Sequence, residues 1–416
     1  MTTALETQRS AELATRLRRS LPGGDTRTGT FYRPYPVAIE RGDGYRIWDV
    51  DGNEYIDCLG NFTSLVHGYN APEIVGAIER QIRSGTAFAS PHSLQADVAE
   101  RLRDRVASVE HVRYANSGTE AIILAVRAAR AFNGRDAILK ATGGYHGFWE
   151  QLPMTLGGRG IPQVVTDLVV EHDYNDVESL RAAARSRDDI AAIIIEPVLT
   201  ASGVIAAQPA YLAEARRLAD EIGALLIFDE IVTLRLDYEG YQQVVGVRPD
   251  LTTFGKIIGG GLPVGAVGGR EDVLAVYDPS RPGSITHSGT FNGNALTMAA
   301  GCASLDRLTR DEVARINALG ARLAEGLRAG LDDVVVTQVG SIAQVHFETG
   351  PEIATARDAN MASERLTRFH SAALREGVYL ASRGMLVVST AMDESVVDEA
   401  IRRLVAAGVA SRDEAG

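Results

Sequence analysis

Cysteine is scarce: the 416-residue chain holds two, Cys58 and Cys302. Two thiols cannot make a disulfide framework or a cysteine metal site, and so few fit a reducing compartment, where both are expected as small buried or half-buried side chains. Basic charge is also short. Lysine and arginine total 42 against 54 acidic residues, a formal net charge of −12, whereas neutralising nucleic-acid phosphates or an anionic membrane surface needs a basic face. Long apolar runs are missing too: the stretch through Ile193-Ile194-Ile195 stops at Glu196-Pro197, short of membrane-spanning length. The opening Met1-Thr2-Thr3-Ala4-Leu5-Glu6 lacks the basic and apolar regions of an export signal, so a cytoplasmic protein is expected. Small molecules are the expected partners.

What the chain does have is ample apolar content, 45%, and a length that implies two or more domains. The first twenty residues read as a helical arm, broken by Pro22-Gly23-Gly24. Residues 37–60 then alternate short strands with Gly42-Asp43-Gly44 and Asp51-Gly52, the pattern of a small antiparallel meander. From about 70 to 305, helices alternate with apolar strands at 112–115, 137–140, 192–195 and 225–228, which predicts an α/β architecture with a large, mainly parallel sheet. Beyond 310 come a helix, two strands, a helix over 360–375, a strand near 385–389 and a final helix. The expected domains are therefore 1–60, an arm and meander belonging to a small domain; 61–309, the large domain; and 310–416, which completes the small α+β domain.

The chemistry centres on Lys256, which sits between the apolar Leu251-Thr252-Thr253-Phe254 and the triple glycine Gly259-Gly260-Gly261. Burial there would disfavour the ammonium and leave an amine able to form a Schiff base with an aldehyde, pyridoxal phosphate being one. Such a cofactor also needs a carboxylate against its pyridine nitrogen, and Asp229 ends the apolar Leu225-Leu226-Ile227-Phe228. In open α/β sheets, ligands gather beyond the carboxyl ends of the strands, where the two residues can converge.

Asn116-Ser117-Gly118-Thr119-Glu120-Ala121 joins a strand to a helix, offering free amides and two hydroxyls as a phosphate cup; an ordinary helix cap reads equally from the same residues. Tyr145 and His146 lie in the glycine-rich Gly143-Gly144-Tyr145-His146-Gly147, from which Tyr145 can lie flat on a pyridine ring or simply pack. Glu196 ends a strand on the same edge, placed to organise water or a hydroxyl or to cap a neighbouring backbone. Thr290, in His287-Ser288-Gly289-Thr290-Phe291-Asn292, offers another phosphate hydrogen bond. Other chemistries fail on spacing. Gly255-Lys256 is followed by Ile257, so there is no P-loop; the glycines from Gly259 to Gly269 lack the GxGxxG pattern; and the eight histidines show no HExxH or close ligand spacing.

These segments resemble the class III, fold-type I pyridoxal-phosphate aminotransferases, a group that includes the glutamate-1-semialdehyde aminomutases. The resemblance runs from Pro22-Gly23-Gly24 to Ser382-Arg383-Gly384. It is most specific at Asn116 to Ala121, Tyr145-His146-Gly147, Phe228-Asp229-Glu230 and the stretch from Pro249 to Pro263. It implies a fold-type I transferase, with a seven-stranded-type sheet domain and a smaller α+β domain built from both termini. It further implies Lys256 as the Schiff-base lysine, Asp229 on the ring nitrogen, Tyr145 on the ring face, and Ser117, Gly118 and Thr119 around the phosphate. A homodimer is also implied, in which Thr290 reaches the other subunit's phosphate.

The chain departs from the aminomutases after Pro-Gly-Gly, where Asp25-Thr26-Arg27-Thr28 replaces their Ser-Pro-Val, and after Tyr-His-Gly, where Phe148-Trp149 replaces His-Ala. It looks closer to the β-amino-acid (β-phenylalanine) aminotransferases, in which the arginines matching Arg27 and Arg383 hold substrate carboxylates. Pairing of either arginine with an acidic neighbour is the plainer alternative. The expected reaction moves an amino group from a carboxylate-bearing amine to a 2-oxo acid. Its alternatives are an aminomutase that returns the amine to the same molecule and a catalytically silent protein that only binds the cofactor.

Overall fold

The computed structural model describes residues 6–153 and 158–412; residues 1–5 of the opening segment lie outside them. Two compact units emerge, one of Met1–Ala71 with Arg315–Ile353 and Asp358–Gly416, the other of Pro72–Ala314 with Ala354–Arg357. Among the described residues no helix is long and apolar enough to cross a membrane.

The first unit opens with the helix Gln8–Arg18 and a turn at Pro22–Gly24. Strands β1 (Ile39–Asp43), β2 (Arg46–Asp49) and β3 (Glu54–Asp57) then form the expected antiparallel meander. The segment after β3 is not announced by the sequence. Gly60, Asn61, Phe62 and Thr63 all take positive φ, at 54°, 47°, 55° and 75°, making one left-handed turn. That conformation costs roughly 1–2 kcal/mol per non-glycine residue, and a bulky Phe and a β-branched Thr are poorly suited to it. The buried Asp57 carboxylate holds the turn in place. Its Oδ1 accepts from the amides of Leu59 (2.8 Å) and Gly60 (3.0 Å), and its Oδ2 from the Tyr69 hydroxyl (2.9 Å).

The second unit is built on β4 (His111–Ala115), β5 (Ala137–Ala141), β6 (Val169–His172) and β7 (Ile190–Ile195). A small hairpin, β8 (Val198–Leu199) and β9 (Ile205–Ala206), precedes β10 (Leu225–Asp229), β11 (Leu251–Gly255) and β12 (Gly265–Gly269). Seven of these make one sheet in the order β4-β12-β11-β10-β7-β5-β6. Every residue of β7 and β10 is buried, as expected for strands covered on both faces, which read as continuous apolar runs rather than alternating ones. Only β12 runs against its neighbours, so the other six strands share one direction and present their carboxyl ends at one edge.

Neither β6 nor β12 is expected from the sequence pattern. β12 lies inside the glycine run, and glycine's poor strand propensity conceals it. The reason for glycine is contact: a Cβ at Gly265 would collide with the Ser117 carbonyl oxygen.

The first unit is completed by β13 (Val335–Val339), β14 (Ile342–His346), β15 (Val378–Tyr379) and β16 (Met385–Val387). β13, β14 and β16 form an antiparallel sheet, while β15 joins the meander alongside β3, in parallel. The helix expected from 360 begins at Glu364, where Ser363 caps it by accepting from the Leu366 amide.

Candidate active site

The carboxyl edge of the seven-stranded sheet assembles the chemistry. Register aligns Gly265 of β12 with Ala115 on one side and Gly255 on the other. Lys256 comes directly after Gly255 and Ser117 lies two residues beyond Ala115, so the two are set two strands apart, about 10 Å across the sheet. On the next strand Asp229 pairs with Thr253 of β11. Beyond it, Phe228 pairs with Ile195, which brings Glu196 level with Asp229.

Lys256 starts a tight turn, Lys256–Gly259, with φ of 48°, a conformation that only an over-determined site holds in a non-glycine residue. It is half-buried. The glycines after it keep the turn tight without covering the side chain.

Asp229 is 5% exposed and has three donors around it. Its Oδ1 accepts from the Ile231 amide and the Thr253 hydroxyl, both at 3.2 Å. Its Oδ2 lies 2.9 Å from His146 Nδ1, and against a carboxylate that nitrogen must carry the proton. His146 is 1% exposed, and its Nε2 is buried without a hydrogen-bond partner among the described residues. Sequence reasoning weighs His146 only as a metal ligand and misses this role; its place beside Tyr145 in the same loop is the available signal.

Tyr145 is 44% exposed, leaving ring surface for a flat ligand. Its amide donates to Glu196 Oε1 at 2.7 Å, and Glu196 Oε2 accepts from the Thr200 hydroxyl at 3.0 Å. Glu196 thus fixes the Tyr145 loop, the capping alternative read from the sequence. Burial first, then the neighbouring Asp229 charge, pushes the Glu196 carboxyl up to about 6, against the pull of His146 and the donors.

The cup forms where β4 meets the helix Gly118–Asn133. Ser117 caps that helix by accepting from the Glu120 amide, and Glu120 Oε2 in turn accepts from the Asn116 amide at 2.6 Å, a reciprocal capping arrangement. The first intrahelical bond is made by the Ala121 amide to Ser117 O, which leaves the Gly118 and Thr119 amides at the open, electropositive end of the helix. The Thr119 hydroxyl accepts from the Phe148 amide at 3.1 Å, tying the Tyr145 loop to the cup. Cap and cup are therefore the same residues.

Thr290 is exposed on a loop anchored nearby: Asn116 Nδ2 donates to Asn292 Oδ1 at 2.7 Å, and Arg113 Nε to His287 Nδ1 at 2.8 Å. Arg27 and Arg383 lie in the other unit, where the fold brings them to one ring. Their guanidinium carbons stand 6.0 and 5.7 Å from the centroid of Phe62. Arg27 Nη1 donates to the neutral Asn61 Oδ1 at 2.8 Å.

Amides and hydroxyls for a phosphate, an exposed aromatic face, an oriented carboxylate and an amine along one sheet edge fit pyridoxal phosphate, donor by donor. The close approach of Gly265 to Ser117 shapes that cradle. This combination of sheet and edge defines a fold-type I pyridoxal-phosphate enzyme.

Comparison with known proteins narrows the class. Residues 29–407 match the family model described as Aminotransferase class-III. The chain is 39% identical over 392 residues to a β-phenylalanine transaminase of Variovorax paradoxus, covering 91% of this chain and 88% of that protein. It is 36% identical over 410 residues to a glutamate-1-semialdehyde 2,1-aminomutase of Methanothrix thermoacetophila, covering 94% of each. A solved structure of a transaminase with PLP bound superposes with a TM-score of 0.92 at 35% identity, covering 99% of both chains. The chain belongs to the class-III aminotransferases, pyridoxal-phosphate enzymes that transfer amino groups.

Proposed function

We propose that this aminotransferase takes its amino group from a carboxylate-bearing amine, a β-amino acid, and delivers it to a 2-oxo acid. The observation that carries the reading is the gathering of Arg27 and Arg383 about Phe62, since a guanidinium fork matches a carboxylate bidentately. The Variovorax relative, named for β-phenylalanine, supports the same choice.

Bound pyridoxal phosphate supplies an aldehyde carbon that takes the amino group and a ring that draws off electrons. Ser117, Gly118 and Thr119 bind its phosphate, and Tyr145 covers the ring. Asp229, steered by His146 and Thr253, keeps a proton on the ring nitrogen. Glu196 holds the Tyr145 loop in place. Lys256 would tether the cofactor and, once freed, would carry the proton from the amine-bearing carbon of the substrate to the former aldehyde carbon of the cofactor. In the homodimer we propose, exposed Thr290 reaches the phosphate bound in the second copy, and the exposed Phe291 beside it supports a covered face. The two buried free cysteines suit a cytoplasmic setting.

The test is a single half-turnover: enzyme carrying the cofactor is mixed with β-phenylalanine and no acceptor. Conversion of the cofactor to its amino form, with one equivalent of free 3-oxo acid, is expected. An unchanged cofactor spectrum would reject β-amino acids as donors. An isomeric amine in place of the oxo acid would indicate the aminomutase outcome that the Methanothrix relative's name suggests.

A further inference from the structure

The left-handed turn at Gly60–Thr63 is an unusual outlay of backbone strain. Four successive residues sit at positive φ, three of them not glycine, and Phe62 and Thr63 have little intrinsic tolerance for it. Strain of this kind persists where the surroundings over-determine it, and here the buried Asp57 fastens Leu59 and Gly60 from below while Leu65 N closes onto Gly60 O at 3.0 Å. Yet the turn does not deliver Phe62 into the core. The ring is half-buried. It lies against the backbone at Gly29, where an added Cβ would stand 3.6 Å from Cζ, and two guanidinium carbons stand 6.0 and 5.7 Å from its centroid.

Neutral groups take part in positioning both cations. The Asn61 side chain, from the same turn, gives Arg27 a neutral oxygen at 2.8 Å. Arg383 Nη2 lies 3.5 Å from the Met385 thioether, a weak acceptor. The Asp25 carboxylate, the acid nearest in sequence to Arg27, feels the Arg27 charge but makes its hydrogen bonds to the amides of Thr26 and Arg27 and to the Thr30 hydroxyl. An aromatic face attracts guanidinium without neutralising it, so the ring does not compete with a carboxylate for the charge of either fork.

We infer that the Gly60–Thr63 turn is a device for recognising substrate carboxylates, with Phe62 a positioning residue whose ring aims the Arg27 and Arg383 forks. The inference rests on the proposed reading of those two arginines. It assigns the backbone strain a purpose: a right-handed or extended backbone at Phe62 would carry the ring away from both cations.

The test compares Phe62→Leu, which keeps apolar bulk and loses the aromatic face, with Phe62→Tyr, which keeps the face. The holoenzyme is titrated calorimetrically with 3-phenylpropanoate, a carboxylate that carries no amine, and with uncharged 3-phenylpropan-1-ol. Losing two cation–π contacts is expected to weaken the carboxylate in Phe62→Leu by roughly fivefold to thirtyfold. The alcohol should change less than about twofold, and Phe62→Tyr should restore the carboxylate affinity. KM for the carboxylated donor should rise in step while kcat holds.

Equal weakening of carboxylate and alcohol would reduce Phe62 to pocket lining and overturn the inference. So would an unchanged carboxylate affinity in Phe62→Leu. Arg27→Ala and Arg383→Ala separate the two levels of the argument. If both leave carboxylate binding unchanged, the arginine reading itself fails. If they weaken it while Phe62→Leu does not, only the role of Phe62 falls.

Discussion

The sheet edge and the arginine pair are built by opposite means. At the edge, each reacting side chain leaves the end of a buried strand, and register sets its spacing: Asp229 opposite Thr253, Gly255 opposite Gly265, Gly265 opposite Ala115. Around Phe62 nothing is set by a sheet. Arg27 is exposed on a short turn and Phe62 stands on a left-handed one; a loop carries Arg383, and aromatic and amide contacts rather than a ladder align them. The difference teaches where change is tolerated. Cofactor chemistry needs fixed distances and sits at strand ends, whereas on the proposed reading choice of substrate falls to segments that can be re-cut without disturbing the ladder.

The largest way to test that contrast is at Lys256. On the proposed reading Lys256→Ala removes both tether and proton carrier, so turnover should fall to background while the cup still retains the cofactor's phosphate, measured as cofactor remaining after dialysis. Turnover at the wild-type rate would remove Lys256 from the chemistry. Next comes Asp229→Asn, for which a loss on the order of a hundredfold or more in kcat is expected because a neutral ring is a poor electron sink. His146→Gln acts through Asp229 and should cost less, about tenfold, as supporting residues typically do. Made in the Asp229→Asn background, it should cost almost nothing further, because the two act as one unit. Fully additive losses would break the proposed link between them.

The sequence makes the edge legible and, through the family resemblance, names Arg27 and Arg383, but it hides the turn about which they gather. Strand after apolar strand ends in a chemical residue, and a period of buried runs broken by helices is enough to place Lys256, Asp229 and Glu196 together. His146 is visible but gains no role from the sequence, because its partner Asp229 lies 83 residues away and no local pattern joins them. β12 is hidden because its glycines answer to the Ser117 backbone rather than to strand propensity. The turn at Phe62 is hidden more deeply. Asn-Phe-Thr carries no left-handed signal beyond its asparagine, and the restraint comes from Asp57 and Tyr69, which only the folded unit brings together.

Gly265→Ala probes the edge without touching a reacting atom. The added methyl meets the Ser117 carbonyl oxygen, and overpacking of this kind typically costs about 1–3 kcal/mol. The variant should unfold at lower denaturant concentration and lose the cofactor faster, both together, since the displaced backbone is the wall of the phosphate cup. A stability loss with unchanged cofactor release would show that the cup is set elsewhere.

The smallest effect is a pH dependence at Glu196. Its carboxyl is raised from 4.5 to about 6 in the folded protein, by burial and then by Asp229, so between those values the folded chain keeps a proton that the unfolded chain has released. Stability from this group is therefore fully present below about pH 4.5 and is lost as pH rises through 6, a change of about 2 kcal/mol by linkage. Glu196→Gln keeps an oxygen for the Tyr145 amide and cannot ionise. Relative to this variant, wild-type stability in urea should decline between pH 4.5 and 7, and the variant should be the more stable of the two at neutral pH. Parallel curves across that range would mean that Glu196 ionises without cost, and that the edge is better solvated than its burial implies.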